Sequence, residues 1–528
     1  MPLSPSAPSG LRPLGDELGK LTKVTQPATA DHAPPETTFG YDENRNKTRQ
    51  TNARGYATTY AYDKLNRLKT MTEPAVAPAG ALVTSFTYDP NGNATVVTDP
   101  KGQTETSTFD ELNRKTTTLY ATAPSTPSVA WREVRRTEYD YDENNNPKEA
   151  REFISSGTDP PIPRTIARTF DTLDREESET TALPDGGTKT VGYEYFQNGT
   201  RRTLIDAAGL RTAYTYDGKN RVATATTESA TAQEKSTTYT YYADDLLKDT
   251  LDPNGVKASR IYDKADRLVV LENVIARSPA NGGDEAISRY EYQYDPNGNR
   301  TSQVETNLSP TVPPAQPSVR APETTTYTYD EANRLKSVTY PADATYPFGR
   351  LVTYHYDKAG NREREVETVP ATATQNAGAQ IIERTGTFDA NNRLTALTAS
   401  VAPPTTPPSI ILPAPTAQAG TQPDLASYTF TYDANGNEAS RTRTPSPGGS
   451  VPEPVEGTAI TTLSTWDLKD HLVEQRRSAD PEHVEGSILA RHEYDADGRR
   501  TKKIGEEGIR QYVYDDTSLL AEYDTNGN

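Results

Sequence analysis

The sequence contains no cysteine. Disulfides and thiolate-ligated metal centres are therefore excluded. Hydrophobic residues make up only 33% of the 528 positions, against about 45–50% in an ordinary globular chain. Layers stacked over a deep core are not expected. No stretch approaches the roughly 20 apolar residues of a membrane-spanning helix. Met1 to Thr38 is rich in Pro, Ala and Ser and lacks an apolar run, so no signal peptide is expected there. Positive charge is in deficit: 56 Lys and Arg stand against 74 Asp and Glu, for a net charge of −18. Nucleic acid and anionic membranes both require clustered cations and are disfavoured as partners. Histidine is scarce, at His32, His355, His471, His483 and His492, and none forms a His-x-x-x-His or His-Glu-x-x-His pair. There is no Gly-x-Ser-x-Gly elbow and no Gly-x-x-x-x-Gly-Lys loop. The sequence thus offers no catalytic residue, no cofactor and no metal site.

What is abundant is tyrosine, at 31 positions, together with threonine and proline. Aromatic and β-branched residues argue against disorder and for strands. They are also periodic. A short motif recurs 18 times, each copy anchored on an aromatic residue: Tyr41, Tyr62, Tyr88, Phe109, Tyr141, Phe170, Tyr195, Tyr216, Tyr241, Tyr262, Tyr294, Tyr329, Tyr356, Phe388, Tyr432, Trp466, Tyr494 and Tyr514. Asp follows in 16 copies, the exceptions being Phe196 and Tyr242. Gly, Asn or Asp stands four residues past the anchor in 16 copies, with Arg45 and Ser518 as exceptions. Phe or Tyr stands two residues before it in 12.

Each column has a physical reason. Asp at the first turn position accepts hydrogen bonds from backbone N–H groups two residues on. Pro90 in Asp89-Pro90-Asn91-Gly92 suits the second position of a type I turn. The fourth position needs positive φ to enter the returning strand, which Gly, and then Asn and Asp, tolerate best. The pattern predicts a type I turn with a G1 bulge. The copies that define it best are Tyr62-Asp63 with Asn66, Tyr88-Asp89 with Gly92, Tyr216-Asp217 with Asn220, and Tyr294-Asp295 with Gly298. Tyr329-Asp330 with Asn333, Tyr356-Asp357 with Gly360, and Tyr432-Asp433 with Gly436 complete the set. Aromatics at spacing two share one face of a strand, and adjacent hairpins are expected to stack them across strands.

A second turn, as in Asp99 to Gly102, Asp206 to Gly209 and Asp252 to Gly255, closes each unit. The expected fold is all-β: a continuous antiparallel meander of hairpins, with strands of about 6–8 residues. Residues 1–38 are expected to be a disordered or linker segment and 39–528 the repeat array. Pro-rich tracts near 121–127, 310–322 and 401–423 are expected to be loop insertions, because central strands exclude Pro. Two similar segments, Pro452 to Gly457 and Pro481 to Gly486, are expected to be inserted loop without function. Asp433, Asn435 and Asn437 have the spacing that opens an EF-hand loop. Glu438 replaces the required Gly and no carboxylate stands at position 12, so plain turns are favoured, with weak calcium binding at some turns left open.

The alternation of Tyr-x-Tyr-Asp-x-x-Gly-Asn with Tyr-x-Tyr-Asp-x-x-Asn-Arg-Leu, as in Tyr354 to Asn361 and Tyr327 to Leu335, resembles the Rhs/YD-repeat family. The resemblance implies a β-sheet spiralling into a hollow shell, or an open curved solenoid, similar to the toxin-complex C component and to teneurins. It implies a secreted or cell-surface protein whose shell encloses a C-terminal toxin or effector domain. Tyr512 to Asn528 resembles the approach to the family's core region, so the self-cleavage region and the cargo are expected to lie outside this sequence. Partners are then that domain and the secretion apparatus. The alternative is an adhesion module in which exposed tyrosine rows bind glycans.

Overall fold

The computed structural model describes residues 12–16, 19–76, 80–122, 133–155, 162–182, 187–228, 234–275, 285–307, 322–343, 346, 348–370, 380–402, 425–445, 459–467, 469–478, 487–505, 508–515 and 517–524. Among these, every regular element is a strand. There are 38, from β1 (Arg12–Gly15) to β38 (Ser518–Tyr523), four to ten residues long. They form one sheet, in which each strand pairs antiparallel with the next, as in β3 (Glu36–Tyr41) with β4 (Lys47–Thr51) and β5 (Ala57–Tyr62). The sheet is open and not closed into a barrel. Of the Pro-rich insertions, residues 123–127, 310–321 and 403–423 lie outside the described residues, as do Pro452 to Gly457 and Pro481 to Gly486.

The turn chemistry explains the meander. Every anchor except Tyr514 is the last residue of its strand. In the turn after Tyr62, the Asp63 N–H donates to Arg67 O at 2.9 Å and the Asn66 N–H to Asp63 O at 3.0 Å. Asp63 Oδ1 accepts from the backbone N–H groups of Leu65 and Arg67 at 2.8 and 2.9 Å. The ladder slips by one residue at Tyr62, which is the expected bulge. All 16 of the Gly, Asn and Asp residues at the fourth position have positive φ, from Asp174 at 59° to Gly92 at 94°. Arg45 is held there too, at 71°, without the side chain that suits it.

Two departures correct the sequence reading. The sheet begins upstream of Phe39: β1 and β2 (Leu21–Thr25) lie inside the segment expected to be linker. The turn joining them is another copy, in which the Asp16 N–H donates to Lys20 O and the Gly19 N–H to Asp16 O, with Gly19 at φ 76°. Its anchor position holds Gly15, so a search for aromatics passes over it. At the other end, β37 (Gly508–Asp515) pairs Asp515 with Ser518, and the usual turn is absent.

The core is thin. Thr and Ser dominate one face, where hydroxyls bridge neighbouring strands, as between Thr215 and Thr224 at 2.6 Å and Thr328 and Ser337 at 2.6 Å. The other face carries the tyrosines. Among the described residues, a compact apolar cluster forms where Val191, Tyr193 and Leu204 meet Val513, a residue more than three hundred positions away.

Candidate functional site: a charged seam between windings

The predicted stacking of aromatics between hairpins does not occur as a rule. Anchors of successive hairpins stand two strands apart, about 9–10 Å at the usual strand spacing, beyond ring contact. Arginine fills the gap. Arg67 donates from Nε to Asp63 Oδ2 at 2.8 Å and from Nη1 to Asp89 O at 2.9 Å, while its guanidinium lies 4.6 Å from the centroid of the Tyr88 ring. Arg175, Arg221, Arg267, Arg334 and Arg393 repeat the arrangement over Tyr195, Tyr241, Tyr294, Tyr356 and Tyr432 at 4.4–4.8 Å. Each ring is tied down at its far end as well: Tyr88 OH donates to Leu68 O at 2.8 Å, and the same bond recurs from Tyr62, Tyr216, Tyr329 and Tyr432. The two copies without Asp use ring edges instead, with Phe196 against Tyr216 and Tyr242 against Tyr262, at 6.2 and 6.1 Å.

Turns alternate in kind because each contacts the next. After a Gly-Asn turn, Asn93 Nδ2 donates to Asn113 Oδ1 of the following turn at 2.8 Å. After an Asn-Arg turn, the guanidinium reaches the next turn, as where Arg221 Nη1 donates to Asp245 Oδ1 at 2.7 Å. A Cβ on Gly436 would stand 3.5 Å from Arg393 Nη1, and one on Gly360 4.0 Å from Arg334 Nη1. The Arg221 side-chain hydrogen bond, chiefly, holds Asp217 down at about 2.

The sheet also returns on itself. Polar contacts join residues 314 to 338 positions apart, which marks one winding of a spiral. His32 Nε2 lies 2.6 Å from Tyr356 O, and Asp31 faces His355 at 3.3 Å. Arg54 donates to Asp389 O and Phe388 O at 2.7 and 3.0 Å. Lys101 pairs with Asp433 at 3.1 Å, beside the Asn435 Nδ2 bond to Asp99 at 2.7 Å. Further on, Lys469 pairs with Glu152 at 2.8 Å, Arg164 with Glu493, Arg168 with Asp497, and Arg499 with Glu179 at 2.7 Å. Arg201 takes both oxygens of Asp515 at 2.6 and 3.1 Å, the carboxylate that the last turn leaves unused.

The predicted site residues therefore divide. Tyr62, Asp63, Asn66, Tyr88, Asp89, Gly92, Tyr216, Asp217, Asn220, Tyr294, Asp295, Gly298, Tyr329, Asp330 and Asn333 sit in turns whose contacts run to adjoining turns. Asp357 and Asp433 belong to turns that also meet the preceding winding, through Arg54 and Lys101. The EF-hand-like spacing resolves the same way. Asp433 Oδ1 accepts the N–H groups of Asn435 and Asn437, and Lys101 occupies Oδ2. Among the described residues, no three His, Asp or Glu side chains form a metal cluster.

Charges at the seam are deeply placed. Glu152, Glu179, Glu493 and Asp495 are all at least nine-tenths buried. Burial alone would lower the Lys469 ammonium, but the Glu152 carboxylate more than offsets this and pushes it up to about 12. Burial raises the Asp495 carboxyl above its usual range despite Arg499. A small cleft lies between the windings, bounded by Val134, Glu152, Arg164, His471, His492 and Glu493 among others. None of this was legible from spacing, since the seam joins positions that no local pattern relates.

A family model described as RHS Repeat matches residues 47–75 and 82–123. The chain carries RHS repeats over those residues. Its RHS repeats share their fold with a chain of the Photorhabdus luminescens Tc holotoxin pore, at a TM-score of 0.54 and 14% identity, over 98% of this chain and 28% of that one. A complex of TcdB2, TccC3 and Cdc42 is also similar, at a TM-score of 0.47 and 14% identity, over 98% of this chain and 30% of that one. The RHS-repeat chain thus spans under a third of the length of either. No curated protein matches it.

Proposed function

We propose that the chain is a non-catalytic wall segment of a shell that encloses, and helps to deliver, a C-terminal toxin or effector domain. The supporting observation is the seam. A sheet that winds back and joins its own rim with buried ion pairs is suited to separating an inside from an outside. Such a protein would be secreted or delivered to a cell surface. The Tc holotoxin fold that it resembles agrees with this reading. The alternative, glycan binding by bare tyrosine rows, is less well supported, because guanidinium groups already cover the anchor rings.

The test is a reporter domain fused after Asn528. It is expected to survive a protease dose that digests the free reporter, and to lose that protection when Arg164→Ala and Lys469→Ala open the seam. Digestion at the free-reporter rate in the parent fusion would overturn the proposal.

A further inference from the structure

Every described histidine lies at the seam. His32 and His355 face the first pair of windings at its start. His471 stacks on Tyr494 at 4.5 Å and lines the seam cleft with His492. Of the five histidines in the chain, the four described ones are thus gathered at the seam.

His492 is the sharpest case. It is on β35 (Ser487–Tyr494), 6% exposed, and its Nδ1 has no hydrogen-bond partner. Its surroundings come from both windings. On its own strand stands Glu493, bound to Arg164 of the preceding winding. Opposite it on β36 (Arg500–Gly505) is Lys503, with Arg500 near by. β34 (Leu472–Ser478) contributes Val473, and the turn before β34 contributes Asp467 and His471. From the preceding winding come Val134, Ile154, Glu152 and Arg164. The three carboxylates in this set are already engaged: Glu152 by Lys469, Glu493 by Arg164, and Asp467 by the N–H groups of Lys469 and His471. A proton on His492 would add a buried cation among Arg164, Arg500 and Lys503 with no free counter-charge.

We propose that the seam is an acid-labile latch: protonation of His492 releases the C-terminal strands, β34 to β38, from the winding beneath, while the hairpins themselves persist. Burial, then Arg500 and Lys503, hold the imidazole down at about 4 from its ordinary 6.5. The folded state thus resists a proton that the released state accepts. Seam stability is full above pH 6.5 and declines as pH falls towards 4.

The latch rests on the seam geometry and not on the cargo reading. Its test therefore uses the full chain without any fusion. Radius of gyration by X-ray scattering and far-ultraviolet circular dichroism are followed together from neutral pH downwards. The expected result is expansion between pH 6.5 and about 4 with the β signal retained. His492→Gln and the ring-preserving His492→Phe are each expected to move that expansion to lower pH, and His355→Gln to leave it in place. No expansion in the parent, an unmoved midpoint in a folded His492 variant, or expansion only together with loss of β signal would each overturn the proposal.

Discussion

A side chain with a Cβ loses about 1–2 kcal/mol in the left-handed region, and this chain visits that region at nearly every hairpin. Arg45 is the informative residue, since it occupies φ 71° without the tolerance of Gly or Asn. Arg45→Gly is expected to raise stability by about 1 kcal/mol in denaturant titration, and Asn66→Val to lower it by about 1–2 kcal/mol. An unchanged midpoint in both would show that the turn does not demand positive φ. The tyrosine hydroxyl contributes separately. Tyr88→Phe keeps the ring under Arg67 but deletes the bond to Leu68 O, with an expected loss of about 1 kcal/mol. The turn residue and the aromatic anchor were legible in the sequence because each answers to its immediate backbone. The hydroxyl's acceptor was not, since it lies on the strand before.

At the scale of the element, the unit is a pair of hairpins, and the pair explains why two versions of the motif alternate. An asparagine turn is followed by one that offers an acceptor, and an arginine turn by a glycine, as at Gly436, or by a further acceptor, as at Asp245. Gly436→Ala is expected to cost about 1–2 kcal/mol, because the new side chain sits at positive φ. A double-mutant cycle pairing Arg393→Ala with Tyr432→Ala should return a coupling of about 0.5–1 kcal/mol. A coupling of zero would mean that the ring and the guanidinium are merely adjacent. Acid acts on elements too. Burial raises the Glu367 carboxyl, but hydrogen bonds from Arg350 and Arg384 outweigh it and leave the group below its ordinary 4.5. A depressed carboxylate stabilises above its unfolded value and loses that contribution as pH falls through the folded one. Glu367→Gln should therefore flatten the acid side of the stability profile.

At the scale of the molecule, the meander and its spiral followed from the repeat and its family resemblance, but the seam did not. Gly15 hid the first hairpin because its turn lacks an aromatic. The inter-winding pairs were hidden because Glu152 and Lys469, 317 positions apart, carry no shared signature. That pair should matter more than any single turn. Lys469→Ala leaves Glu152 buried without a counter-ion, and a loss of about 3–5 kcal/mol is expected in unfolding of the C-terminal strands. Hydrogen exchange that rises in β34 to β38, but not in β5 to β7 (Gly80–Tyr88), would place the loss correctly.

Sequential pairing has one more consequence. Each strand contacts its chain neighbours, so an even number of hairpins can be removed without breaking any ladder. Excision of residues 217–262 would splice one Tyr-Asp turn to another of the same kind and leave local structure whole. What it would change is phase: Arg164 would no longer arrive opposite Glu493, nor Lys469 opposite Glu152. The two windings therefore work like the scales of a vernier, in agreement at one chain length and out of step at others. Selection on such a wall would act on repeat number as strictly as on any residue, while the loops between strands stay free to lengthen.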